Sequence, residues 1–236
     1  MAFVILIFLL GVQNVENEII KFEERVREAI ISYAQKYKDY YVNYEYLILS
    51  KAFVSKKYYI LSAKEDNFLH LTGVNSLLSA KDFYQKCLKG TLSTDDFNFN
   101  KNGQDVTSVK GSVRRKINVM DYTIGMFDSY ASIVKVEEDF QKNAIKCSFA
   151  AGNQNVTFGF TINEKVRPKT LLKGYELNDS KSYPIDLVLR IVAGQDKFDI
   201  LLYGQKESCK DYHDIILENC SDELISSIFD DITALM

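Results

Sequence analysis

Across residues 15–41 the side chains of Ile19, Phe22, Val26, Ile30, Tyr33 and Tyr37 recur every three or four positions, with Glu and Lys between them. That spacing predicts one long amphipathic helix. At "YEYLILSKAFVSKKYYILSA", residues 44–63, the period changes. Two β-rich runs flank "VSKK" and predict a hairpin turning near Phe53 or Lys56, with a helix over 47–53 as the alternative. "SAKDFYQKCLKG" then reads as a helix with Ser79 as its N-cap and Gly90 as its stop. Residues 91–104, "TLSTDDFNFNKNGQ", are polar and turn-rich and predict a loop able to move between ordered and mobile states. Val109, Val113, Ile117, Met120 and Ile124 keep helical spacing and predict a helix over 105–127.

From Ala131 the period becomes two, in "ASIVKVEEDF", "AIKCSFAAG", "NVTFGFTI", "IDLVLRIVAG" and "KFDILLYGQ". Short strands separated by "QKN", "GNQN" and "AGQDK" describe a twisted antiparallel meander. The chain closes on an acidic helical pattern, "CKDYHDIILENCSDELISSIFDDITALM", expected to pack over one face or edge of that sheet. Helices first, sheet second and helices last make an α+β fold with a curved antiparallel β-sheet. The expected organisation is an apolar segment and amphipathic helix over 1–43, an α+β body over 44–205, and acidic helices over 206–236 packed on the same body.

Composition narrows the classes. With 236 residues, 47% of them hydrophobic and 26% charged, the chain is globular in kind and can bury a sizeable core. Fifteen Tyr and fifteen Phe without any Trp suit stacked strands. A net charge of -3 gives no sign of a general polyanion binder, so any contact with nucleic acid has to come from a local patch. The four cysteines, Cys87, Cys147, Cys209 and Cys220, form no CxxC pair, which argues against structural zinc and a disulfide scaffold and for a cytoplasmic setting. "MAFVILIFLLG" imitates a targeting segment but lacks a preceding cation and a cleavage site and is about half of a ~20-residue span. No stable membrane association is expected.

No P-loop, GxGxxG, HExxH or GxSxG motif is present, and the acidic pairs Glu137/Glu138, Asp95/Asp96 and Asp230/Asp231 sit in ordinary surface contexts. Chemistry without metal or cofactor remains, and for that one histidine suffices if cations and hydroxyls surround a phosphate. His70, in "DNFLHLTGVNS", is placed after the predicted hairpin and before a Thr-Gly step, with the Thr72 hydroxyl and the Gly73 amide as phosphate contacts. The plainer reading is a half-buried histidine beside a turn. His213, in "KDYHDII", has less to recommend it.

A second cluster lies in "TFGFTINEKVRPKTLLKG". Gly159 inside a strand suggests a close approach by another backbone or a ligand, and Arg167, Lys169 and Thr170 put two cations and a hydroxyl at a strand end. A basic turn punctuated by Pro168 is the ordinary alternative. "KGSVRRK", residues 110–116, is the densest basic run, with Arg114 and Arg115 as candidate phosphate contacts or merely a solvated helix face. Tyr58 and Tyr59 could stack bases, although aromatics on strands more often fill cores.

"FLHLTGV", then "SAKDFYQKCLKGTL", then "TFGF", "RPKTLL" and "IDLVLRIVAGQDKFDILLYG" resemble the phage- and mobile-element-associated branch of the barnase/EndoU/colicin/RelE-like nucleases. More narrowly they resemble its fourth phage group, in which an HLTG-type element precedes an Fy-type helix, a GF-type strand, a Pro-Ser/Thr-Leu-Leu element and a final strand with a tyrosine. The resemblance spans roughly residues 45–205. It implies a small α+β fold with a curved sheet and a ribonuclease needing no metal. By position it implies His70 as general base or acid, Thr72 as a phosphate contact, Arg167, Lys169 and Thr170 as a strand-borne clamp, and Tyr203 as a further polar group.

The function expected is therefore a metal-independent endoribonuclease acting through a 2′,3′-cyclic phosphate, as a toxin or host-takeover effector, with RNA as substrate and an inhibitor or host protein as a further partner. The alternative is a non-catalytic module that keeps the fold and binds a partner protein through its acidic end. A third expectation lays that acidic end, with Asp222, Glu223, Asp230 and Asp231, across the basic cleft in cis.

Overall fold

The computed structural model describes residues 21–233, so "MAFVILIFLLG" and the start of the helix expected from residue 15 lie outside the described residues. Within them α1 (Phe22–Tyr37) buries the predicted face through Val26, Ile30, Tyr33 and Tyr37, and one π-helical turn (Lys38–Val42) leads into the sheet. The predicted hairpin forms from β1 (Tyr44–Leu49) and β2 (Tyr58–Ser62). Next come α2 (Asn67–Thr72), β3 (Asn75–Ser76) and α3 (Ala80–Leu88), the last capped by Ser79 as expected. β4 (Phe97–Asn98) pairs with β3, and α4 (Val106–Ile117) follows.

The strand-rich half contains β5 (Lys135–Glu138), the small hairpin of β6 (Gln141–Lys142) and β7 (Ile145–Lys146), β8 (Phe149–Gly152), β9 (Val156–Asn163) and β10 (Lys165–Lys173). β11 (Tyr183–Pro184), β12 (Leu187–Val192) and β13 (Ile200–Tyr203) complete it, before α5 (His213–Asn219) and α6 (Asp222–Thr233). Nine strands join in the order β11-β5-β8-β9-β10-β2-β1-β12-β13. The fold is α+β as the pattern predicts, with one change to the meander. The early hairpin is spliced between β10 and β12, and β2 meets β10 in parallel through Val166 and Leu61, so the curled sheet is mixed.

Alternation along β1 defines two faces. Tyr46 and Ile48 join Phe68, Phe83, Tyr84, Val109 and Val113 beneath α1 to α4. Leu47 and Leu49 point the other way, with Leu187, Leu189 and Ile191, into a core closed by Tyr212, Ile216, Leu224 and Ile228 of the C-terminal segment. That placement corrects the expectation of an acidic tail over the basic cluster: α5 and α6 cover the face opposite α2 and α4. A small third core of Phe140, Cys147, Ala150 and Leu177 lies under the β6–β7 hairpin.

Two local expectations are also corrected. α4 stops at Ile117, and Met120–Thr123 forms a 3-10 turn instead. The Thr123 hydroxyl bonds Tyr33 at 2.5 Å and its carbonyl accepts from Tyr41, so α1 and the π-helical turn after it hold this segment away from the helix axis. Residues 92–99 are packed, because Leu92, Phe97 and Phe99 are buried and Ser93 and Asp96 form a capping box, while Asn100 and residues 102–104 face solvent.

Candidate active site

His70 lies in the last turn of a short helix rather than in an open turn. Phe68 and Leu71 draw α2 into the helical core, where the Phe68 ring sits 5.3 Å from Tyr37 and 5.0 Å from Tyr84. The Asn67 side chain accepts from the Lys64 amide at 2.9 Å and fixes the entry to the helix. The other side of α2 turns His70 to solvent. Gly73 ends the helix with φ +79, a left-handed conformation suited to glycine.

Thr72 does not serve as the phosphate contact the motif implied. It is fully buried, and its hydroxyl donates to the Leu69 carbonyl at 2.8 Å while accepting from the Val74 amide at 3.3 Å. Both bonds shape the helix end, which leaves the hydroxyl no path to a ligand.

The charged neighbours of His70 come from elsewhere. Lys116, in the last turn of α4, donates from Nζ to the His70 carbonyl at 2.8 Å. Its stem crosses Gly73 so closely that a Cβ there would stand 2.9 Å from Lys116 Cδ. Partial burial lowers the His70 pKa below its ordinary 6.5, helped by Lys116 and Lys101 and opposed by Asp66, which favours the neutral imidazole at neutral pH. Burial and the Lys101 charge lower Lys116 to about 8. Lys101 is itself lowered by burial.

Lys116 and Lys101 are functional candidates that the sequence reading missed. For Lys116 a signal existed, because Val109, Val113 and Lys116 continue one core-facing stripe at four- and three-residue steps. Lys101 has no such periodic signal. Of the two arginines singled out, Arg114 lies over the Phe22 ring at 5.3 Å, toward α1, and Arg115 is exposed.

The second cluster sits on β10, against which α2 packs. Arg167 pairs with Thr161 and Thr170 with Gly159, so both side chains share the sheet face opposite Phe158 and Phe160. The Gly159 approach is filled by protein: a Cβ there would lie 2.6 Å from Cys147 Sγ and 3.1 Å from Thr170 Cγ2. Thr170 is buried, and Lys169, in the bulge between Pro168 and Thr170, donates to the Lys146 carbonyl. Arg167 Nε is buried without a hydrogen-bond partner. Thus the structure gathers His70, Gly73, Lys116 and Lys101 in one place, whereas Arg167 and Thr170 project from the opposite face of the sheet, away from α2, so the strand-borne clamp expected beside His70 does not form there.

Tyr203 is elsewhere. It lies on the edge strand β13, four strands from β10, lining a cavity of about 580 Å³ with Asp186, Gln205 and Ser208. Tyr59 is buried and stacks on Phe149 at 5.1 Å, which makes it core. Among the described residues no group of His, Cys, Asp and Glu is arranged to hold a metal ion, and no helix is long and apolar enough to cross a membrane.

A family model described as phage-Barnase-EndoU-ColicinE5/D-RelE like nuclease4 matches residues 29–234. The match takes in most of α1 and the C-terminal helices, beyond the span 45–205 that the motifs mark out. No curated protein and no solved structure matches the chain.

Proposed function

Because the chain belongs to the phage-Barnase-EndoU-ColicinE5/D-RelE like nuclease4 family, we propose that it cuts RNA by metal-independent transesterification with His70 as the proton acceptor. The observation that carries this reading is the placement of His70: its side chain faces solvent at the end of α2, and the Lys116 ammonium is fixed on its carbonyl, with Lys101 nearby. A neutral imidazole can take the proton of a ribose 2′-hydroxyl. The 2′-oxygen then bonds to the adjacent phosphorus and the bond to the 5′-oxygen breaks. The products are a 2′,3′-cyclic phosphate and, once protonated, a 5′-hydroxyl.

The nucleophile belongs to the substrate, so no metal is required to generate it. Charge gathering on the phosphorane is met by cations, which act most strongly where water is partly excluded. Arg167 projects from the face of β10 away from α2 and Lys169 donates to the Lys146 carbonyl, so phosphates they contact would lie beyond the one held at His70. Thr170, buried against Gly159, is better suited to positioning that strand than to touching RNA. A 2′-hydroxyl requirement makes RNA, and not DNA, the substrate. A cytoplasmic effector role with an inhibitor or host partner accompanies this reading.

The test is incubation with total RNA and with tRNA in EDTA, with His70→Ala beside the wild type and product ends probed. Wild-type cleavage to cyclic-phosphate ends, absent in a folded His70→Ala, is the expected result. Activity abolished by EDTA would remove metal independence, and cleavage by His70→Ala at the wild-type rate would remove His70. Intact RNA in every lane, with a defined complex on pull-down, would leave a non-catalytic binding module.

A further inference from the structure

We infer that Lys116 is the general acid of this reaction, giving an ammonium proton to the 5′-oxygen as it leaves phosphorus; the inference rests on the ribonuclease reading of His70. It begins with the way α4 meets α2. Val109 and Val113 are buried on one stripe of α4, and the next position on that stripe is Lys116. Its side chain runs over Gly73, with Cδ 2.9 Å and Cε 3.6 Å from where a Cβ would stand, and ends 2.8 Å from the His70 carbonyl oxygen. A lysine that only solubilised the helix would have no reason to occupy a groove opened by a glycine.

The bond to His70 uses one of three ammonium protons and leaves two for a ligand. It also holds the ammonium beside the residue that bears the imidazole. At a pKa of about 8 the group is protonated at neutral pH, yet gives up its proton far more readily than an exposed lysine. The groups that face it are the His70 carbonyl on α2 and Lys101, which follows β4, while Asp66, just before α2, acts on the imidazole. Lys110 and Arg114 are drawn toward α1 by Glu23 and Phe22. β10 turns Val166 and Leu171 to this side, with Lys173 at its end.

The step balances. His70 gains the 2′-hydroxyl proton as the 2′-oxygen bonds to phosphorus, and Lys116 loses a proton to the 5′-oxygen as that bond breaks. Imidazolium and amine then return to imidazole and ammonium by exchange with water.

The test compares an RNA dinucleotide with the same dinucleotide carrying sulfur at the bridging 5′ position, whose thiolate leaves without protonation. The full chain is used, with Lys116→Met and with Lys116→Gln, which keeps a donor for the His70 carbonyl. On normal RNA both variants should lose roughly 10²–10⁴-fold, and on the sulfur substrate both should come within about tenfold of wild type. His70→Ala should be inactive on both. The wild-type kcat/KM on normal RNA should fall as pH rises through about 8, and that limb should vanish in the variants. Equal losses on the two substrates, or full activity of folded Lys116→Gln on normal RNA, would overturn the acid role while leaving His70 untouched. A wild-type protein that cleaves neither substrate would end the ribonuclease reading and this inference with it.

Discussion

At Gly73 two requirements meet in one residue. The backbone is left-handed at φ +79, and the missing Cβ makes room for Lys116 Cδ at 2.9 Å. A side chain in that conformation costs about 1–2 kcal/mol. The obstructing atom belongs to a flexible stem, so the contact is relieved by moving the lysine. Gly73→Ala is therefore expected to lower stability by about 1–2 kcal/mol and to shift Lys116 away from the His70 carbonyl. Urea unfolding with RNA cleavage alongside checks both. Wild-type stability would refute the strain argument, and unchanged cleavage would show that the lysine need not sit where Gly73 allows it. Thr72, one residue earlier, illustrates why a motif letter is not a role. Its hydroxyl is spent on Leu69 and Val74.

Between elements, one carboxylate ties the β1–β2 turn to β5. Glu138 accepts from the amides of Val54 at 2.8 Å and Ser55 at 3.3 Å, and from the hydroxyls of Ser55 and Tyr59 at 2.6 Å each. Burial pushes its pKa up, but these bonds together outweigh burial and hold it below the ordinary 4.5. A depressed carboxylate contributes stability above its unfolded pKa and loses it as pH falls through the folded one. Glu138→Gln should cost about 1–2 kcal/mol at pH 7, discounted for partial exposure. The difference should close as pH drops below 4.5, in a series of denaturation midpoints. A gap independent of pH would mean that shape, not charge, holds the turn. The elements themselves were legible where a period repeats locally: the buried stripe of α1, the β1–β2 hairpin, the Ser79 cap, and the alternation from Lys135, although Ala131–Ile133 forms a 3-10 turn where a strand was expected. What no local period contains is the partner of a strand or the pull of a distant hydroxyl. The parallel joint of Val166 with Leu61 and the early end of α4, set by Tyr33 and Tyr41, both depend on residues far away in sequence. The site divides in the same way. His70 and Gly73 stand in a readable motif, whereas Lys116 is a polar member of an apolar stripe whose partner lies 46 residues earlier.

Over the whole molecule, acidity and a phosphate substrate are reconciled by where the charges are used. The net charge is -3, and ion pairs engage Lys36 with Asp121, Lys86 with Asp96, Lys110 with Glu23, Lys142 with Glu176 and Lys165 with Glu45. The acidic C-terminal helices lie on the opposite sheet face, over Leu47, Leu49, Leu187, Leu189 and Ile191. At about 1.5–3 kcal/mol for each buried aliphatic side chain, covering these residues contributes on the order of the ~5–15 kcal/mol stability of a whole domain. The tail is thus a structural lid on a core, not a removable inhibitor. In the proposed site the cations beside His70 are Lys116, in the last turn of α4, and Lys101, with Arg115 exposed next to Lys116. Three phosphate contacts on a single strand give a slope of about -2 in log affinity against log salt. A 2′-O-methyl oligonucleotide, which binds without being cut, should show that slope, and Arg115→Gln should reduce it by about 0.7 while leaving the unfolding midpoint unchanged. A slope near zero would mean that RNA is held by stacking rather than by charge. A slope that Arg115→Gln leaves intact would move the phosphate path off α4 and onto the Arg167 side of β10.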